Sequence, residues 1–190
     1  MFQAVSPVLT YICAALVIDT RNHRRWETGK CALVALNLAL QLVLARTVGD
    51  IGSDNQDDEW PRTVVRFVVA LVTLDLSFAS IHRMFHIVPV LWHFHKEHHS
   101  VTPPDMSGYK AQFCHPVEHV ACNLFPVALS TWTAGLSWTC TTAFFCFAEC
   151  SSVWAHADAY SYHAQHHTQP RRHFGLGGLI TDRIERFIFQ

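Results

Sequence analysis

The chain has 190 residues, half of them hydrophobic and only 15% charged, against roughly 25% charged in soluble proteins; this is one domain's worth of sequence with a composition suited to a bilayer. A formal net charge of -1 offers no basic surface for nucleic acid, and neither a G-x-x-x-x-G-K-[ST] loop nor a G-x-G-x-x-G turn occurs, which removes the usual nucleotide-driven chemistries. Seven cysteines, an odd number without a C-x-x-C pair, read as small core residues and not as a disulfide framework.

Four apolar zones follow one another: residues 4–18, 31–45 ("CALVALNLALQLVLA"), 63–81 ("TVVRFVVALVTLDLSFASI") and 120–148. The first two are short against the roughly 20 residues of a full crossing, so an interfacial position is open to them. No Lys or Arg precedes the first zone, unlike a cleaved signal peptide, and residues 1–62 read as a retained membrane anchor ahead of a second region at 63–190. Arg21, Arg24, Arg25 and Lys30 fill the first connection, while Asp50, Asp54, Asp57, Asp58 and Glu59 fill the second. The positive-inside rule then makes the first cytoplasmic and the second lumenal or external. Zone four has 29 residues and no charged side chain. As one helix it would run about 43 Å, too long for an upright crossing of about 30 Å. A hairpin broken near Pro126 or Gly135 is expected, returning "YHAQHH" (162–167) to the side of residues 82–99. The expected fold class is therefore all-α, a multi-pass helical membrane protein with a cytoplasmic histidine-rich region.

Histidine spacing carries the chemistry. His82 and His86 stand at i, i+4; His95, His98 and His99 at i, i+3, i+4; His163, His166 and His167 repeat the second pattern. Each set shares a helical face. His156, seven residues before His163, joins them if one helix is continuous. Nine candidate ligands are too many for one ion and suit two. Imidazole accepts Zn, Cu, Fe and Ni alike, and the E-x-x-H pairs of soluble four-helix di-iron proteins are absent from the sequence.

Together, "HRMFHIVPVLWHFHKEHHSVTPP", "HPVEH", "YHAQHH" and the tail "HFGLGGLITD" closely resemble the fatty acid hydroxylase superfamily of integral-membrane sterol desaturases and hydroxylases. The resemblance covers about residues 70–187, and "HPVEHVACNLFP" (115–126) is most similar to the C-4 methylsterol oxidase branch. It implies two non-haem irons held by His82, His86, His95, His98, His99, His156, His163, His166 and His167, with dioxygen as co-substrate. It also implies electrons from NAD(P)H through a reductase and a separate carrier of cytochrome b or ferredoxin type. The implied reaction is hydroxylation or desaturation of a lipid, at C-4 of a methylsterol for that branch, with fatty acyl and sphingoid-base hydroxylation as alternatives. The implied location is the endoplasmic reticulum membrane in a eukaryotic cell. Three positions depart from the family pattern: only six residues separate His156 from His163, His173 replaces a common asparagine, and the terminal F-G-T is missing.

Asp75, seven residues before His82, is expected to accept a hydrogen bond from a ligand's second nitrogen, because an intramembrane carboxylate is too costly to keep without a role. His23 and His93 are read as non-ligands. "HPVEH" also fits H-x-x-E-H, in which Glu118 would be the general base of a zinc peptidase with His115 and His119 as ligands. A non-enzymatic membrane metal-binding protein is the other rival.

Overall fold

A computed structural model describes residues 2–23, 25–49 and 59–188. The acidic residues Asp50, Asp54, Asp57 and Asp58, on which the loop-charge argument partly rests, lie outside the described residues, as does Arg24. Among the described residues the secondary structure is helical and contains no strand.

Long helices α1 (Phe2–Arg21), α2 (Thr28–Gly49) and α3 (Trp60–Ile87) come first. Two of them, α2 over Thr28–Ala45 and α3, are long and apolar enough to cross a membrane. At 1.5 Å per residue the 28 residues of α3 run about 42 Å, more than the hydrocarbon thickness of a bilayer, and His82 and His86 stand in its last turns. Its outer face presents Val64, Val65, Val68 and Leu76, all exposed. Pro89 then forces Val88 into extended backbone (φ -97°, ψ 115°). The chain breaks there, and the short α4 (Pro89–His95) doubles back against the end of α3.

Zone four forms the expected hairpin. A single turn α5 (Pro116–Glu118) leads into a π-helical stretch (His119–Leu124) and then α6 (Phe125–Ala134). Pro126 has no N–H to offer the carbonyl of Cys122, so the ladder widens just before it. Gly135, at φ 60°, ψ 41°, ends α6 in the left-handed conformation that glycine adopts without strain. Ser137 caps α7 (Trp138–Ala157) by accepting from the amide of Cys140. The hairpin thus turns at Gly135, while Pro126 shapes the helix. Helix α7 does not continue to His163. It stops at Ala157, and Ser161 caps a separate α8 (Tyr162–Thr168) by accepting from the amide of Ala164 at 2.9 Å. The chain ends its described course in α9 (Ile180–Ile188).

Two apolar clusters hold these helices together. One joins Ala70 and Leu74 of α3 to Val127 of α6 and Phe144 and Ala148 of α7. The other joins Tyr11 and Ala15 of α1, Leu38 of α2 and Val153 of α7 around the segment 101–113, which is buried from Met106 onward. That segment lacks α-helix or strand, so its backbone polar groups need side-chain partners. Asp19 accepts from the amides of Gly108 (2.7 Å) and Tyr109 (3.0 Å) and from the indole N–H of Trp26 (3.0 Å). Asn37 donates to the carbonyls of Gln112 (2.9 Å) and Cys114 (2.8 Å), and Tyr11 donates to the carbonyl of Tyr109. A methyl group on Gly108 would meet Val153 at 2.9 Å, so glycine lets the segment lie this close to α7. Asp19→Ala strands two buried amides, each worth roughly 1.5–3 kcal/mol as a bond to a charged acceptor. We expect a fall in Tm in detergent clearly larger than for Asp105→Ala, where the carboxylate is exposed; equal Tm values for the two variants would refute this role of Asp19.

Candidate metal centre

All nine histidines singled out by spacing converge at one end of the bundle, in two abutting groups. His82, His86, His95, His99 and His166 form one; His98, His156, His163 and His167 form the other. The Val88–Pro89 break brings α4 back so that His95 Nε2 lies 3.1 Å from His82 Nε2 and 2.9 Å from His86 Nε2. His166 Nε2 lies 3.0 Å from His86 Nε2. In the second group the successive Nε2 distances are 3.2 Å from His98 to His156, 3.1 Å from His156 to His163 and 3.2 Å from His163 to His167.

The expected shared faces do not survive. Helix α4 ends at His95, and His98–Ser100 form a 3₁₀ turn, so the three histidines of this box are divided: His95 and His99 enter the first group and His98 the second. The box at 163–167 divides likewise, His166 to the first and His163 and His167 to the second. Neighbours in a helical turn point about 100° apart, and each His-His pair therefore serves two sites at once. His156 reaches His163 across the Asp158–Ser161 turn and not along one continuous helix.

Ring orientation is set from outside. The Nδ1 of His82 faces the carbonyl of Phe174 at 2.9 Å, that of His98 the carbonyl of Phe113 at 3.1 Å, that of His156 the carbonyl of Ser152 at 2.8 Å and that of His167 the carbonyl of Val101 at 2.6 Å. His166 Nδ1 faces the carbonyl of Arg172 at 2.5 Å. A carbonyl can only accept, so these Nδ1 atoms carry the proton and the Nε2 lone pairs point inward. His98 and His156 then turn two lone pairs toward each other at 3.2 Å, an arrangement that repels unless a cation lies between them. With metal–nitrogen bonds of about 2.1 Å, adjacent ligands of an octahedral ion stand about 3.0 Å apart, which matches these separations. The residues present therefore fit two metal ions.

Burial enforces neutrality. It lowers the pKa of His98 to about 4 and that of His166 to about 3. Burial also depresses His95, His99, His163 and His167, helped by neighbouring imidazoles that oppose further charge. Phe174 packs its ring against His82, His86 and His166, and Trp92 packs against His86 and His99.

Asp75 does not take up the second nitrogen of His82. Its two oxygens accept the amide (2.8 Å) and hydroxyl (2.9 Å) of Thr181, and the carbonyl of Phe174 takes His82 instead. Asp75 thus anchors the tail whose carbonyls orient His82 and His166, one step further out than expected. In that tail Asp182 accepts the amides of Gly175 and Gly178, each at 2.8 Å; a side chain on Gly175 would meet the Asp182 carboxylate at 2.6 Å, and Gly177 and Gly178 hold positive φ. His173 holds a positive φ of 60° and donates its amide to Glu185 at 2.7 Å.

The H-x-x-E-H reading does not assemble. His115 is the helix cap, accepting from the amide of Val117 through Nδ1 at 3.2 Å, because Pro116 confines the motif to a first turn. Glu118 turns to the histidine centre, with Oε1 2.8 Å from Nδ1 of His95, near enough to pair though not aligned as a hydrogen bond. Burial pushes the pKa of Glu118 up, with the charge of Glu97 adding to it. This contact was not foreseen from spacing, although the carboxylate was visible in "HPVEH". His23 and His93 are exposed and stand outside both groups.

The Fatty acid hydroxylase family matches residues 67–186. Sphinganine C4-monooxygenase 1 of Arabidopsis thaliana is 30% identical over 159 residues, 75% of this chain and 60% of that protein. Fatty acid hydroxylase domain-containing protein 2 of Homo sapiens is 26% identical over 121 residues, 59% of this chain and 36% of that protein. Fatty acid hydroxylase ahd1 of Mycosarcoma maydis is 30% identical over 66 residues, 35% of this chain and 17% of that protein. The chain thus spans 60% or less of the length of these relatives. No solved structure matches it significantly.

Two measurements test the centre. Unfolded imidazoles titrate near 6.5 while the buried ones titrate lower, so below about pH 6.5 the unfolded chain binds protons that the fold refuses. The Tm of the metal-free protein should therefore fall as pH drops from about 6.5 to about 4; a flat Tm over that range contradicts the buried, neutral rings. Removal of the carboxylate behind His95, by Glu118→Ala, should weaken metal binding by roughly 10–100-fold, measured by competition with a chelator; unchanged affinity would exclude Glu118 from supporting His95.

Proposed function

The chain belongs to the fatty acid hydroxylase family, a family of di-iron histidine-box oxygenases, and on that premise we propose that it is a membrane di-iron monooxygenase that hydroxylates a long-chain lipid. The observation that carries this reading is the inward-facing Nε2 lone pairs of two abutting histidine groups. The five histidines of the first group would hold one iron and the four of the second the other. Bound there, the irons would supply reduction of dioxygen with electrons from NAD(P)H, one oxygen atom entering the lipid as a hydroxyl and the other leaving as water.

The protein's own part is positioning and exclusion. The carbonyls of Phe113, Val101, Ser152, Phe174 and Arg172 fix the rings, Phe174 and Trp92 shield them, and burial keeps them unprotonated. The proposal places this centre on the cytoplasmic face of a multi-pass membrane protein, in the endoplasmic reticulum of a eukaryotic cell. A reductase and a separate carrier of cytochrome b or ferredoxin type would deliver the electrons.

For the substrate, the coverage of 75% of the chain by a sphinganine C4-monooxygenase supports a sphingoid base. A methylsterol oxidised at C-4 is the second reading, carried by "HPVEHVACNLFP" alone. Protein purified in detergent should contain two irons per chain, and His98→Ala or His167→Ala should lower bound iron and abolish turnover while His23→Ala does neither. Supplied with dioxygen and a reducing system, it should add a hydroxyl to sphinganine. A C-4 hydroxymethyl or carboxyl product from a 4,4-dimethylsterol would select the second reading, and a single zinc per chain without iron would sink both.

A further inference from the structure

Glu149 is a buried carboxylate in the middle of the apolar helix α7. Its Oε1 accepts from the side-chain amide of Gln41 on α2 at 2.9 Å, and its Oε2 accepts from that of Gln112 at 3.0 Å. Three polar side chains at this depth are expensive, and apolar side chains could join α2 to α7 at lower cost. The array is also incompletely paired: Gln41 is only 2% exposed, and its Oε1 has no partner.

Cavities lie on both sides of the array. Glu149 lines one together with Leu74, Phe78, Asn123 and Ser152. Phe78, Asn123 and Ser152 also line the cavity that His82, His98, His156 and His163 enclose, so the space beside Glu149 adjoins that beside the histidines. On α7 itself Glu149, Ser152 and His156 follow at i, i+3 and i+7, along one face of the helix. Gln41 lines a second, apolar cavity with Leu124, Trp138 and Phe145.

We propose that Glu149, with Gln41 and Gln112, is the subsite for a hydrogen-bond donor on the lipid substrate, a hydroxyl or an amine. This deepens the lipid-hydroxylase reading and rests on it. In the ionised form of Glu149 each oxygen keeps a lone pair after accepting one amide N–H, and the free carbonyl of Gln41 keeps two. The array therefore lacks a donor. A lipid alcohol, a long-chain amine or an amino alcohol supplies one; a free fatty acid carboxylate or an ester brings further acceptors and is disfavoured beside Glu149.

Competition against radiolabelled sphinganine, bound to the full chain in detergent micelles, tests this. Hexadecan-1-ol and hexadecylamine should displace it about tenfold better than palmitate or methyl palmitate, about 1.4 kcal/mol. Glu149→Gln and Gln41→Met should each erase most of that preference, Glu149→Gln by tightening palmitate as well as by weakening the alcohol and the amine. Equal competition by all four lipids in the unaltered protein would overturn the proposal. So would variants that weaken every ligand alike with a lowered Tm, the mark of a structural bridge. If the variants do not accumulate, the competition series in the unaltered protein decides. Parallel product analysis keeps the two readings apart: hydroxylation without donor preference defeats the subsite alone, and donor preference without hydroxylation defeats the hydroxylase reading alone.

Discussion

Carbonyl groups acting from outside the histidine cluster are the interaction on which the rest depends. A neutral imidazole has one donor and one acceptor nitrogen, and only the partner of one fixes the role of the other. The carbonyls of Phe174, Phe113, Ser152, Val101 and Arg172 each claim an Nδ1 proton, and inward-facing lone pairs follow. Without them the same rings could pair among themselves, Nε2–H to Nε2, and close the space against a cation. Burial alone keeps imidazoles neutral; it does not choose the tautomer.

Apart from Ser152, which lies in α7, the residues that supply those carbonyls are outside the long helices, so their backbone must be held in place. Asp19 and Asn37 hold the segment that ends at Phe113, and Asp75 and Asp182 hold the tail that carries Phe174. Asp19, Asn37 and Asp75, polar side chains on α1, α2 and α3, thus have a common purpose. Each fixes a stretch of irregular chain, and that stretch fixes a ring.

Histidine spacing made the nine residues legible, since their clustering is encoded in residue type. The hairpin was legible as well, because an uncharged run too long for one crossing and interrupted by Gly135 has few other solutions. The division of each H-x-x-H-H box between two groups was not, since a helical reading of 95–99 places all three rings together, and the 3₁₀ turn at His98–Ser100 arises from tertiary packing. Nor was the partner of Asp75: the seven-residue spacing to His82 matches a helical face, but Thr181 competes from 106 residues away. Backbone carbonyls leave no trace in residue identity, which is why the elements that orient the rings could not be read in advance. In "HPVEH" the motif pointed to Glu118 but assigned it to the wrong neighbours.

The long reach of the pairs made by α2 bears on how the chain is built at the ribosome. Asn37 finds its carbonyls 75 and 77 residues later, and Gln41 finds Glu149 108 residues later. An α2 that enters the bilayer during synthesis therefore carries two side-chain amides with no native partner until segment 112–114 and then α7 have emerged. Lipid offers them nothing to bond. At roughly 5–20 residues per second, the nascent helix waits several seconds with this deficit, and in that interval a chaperone or insertase able to shelter a polar stripe has something specific to hold.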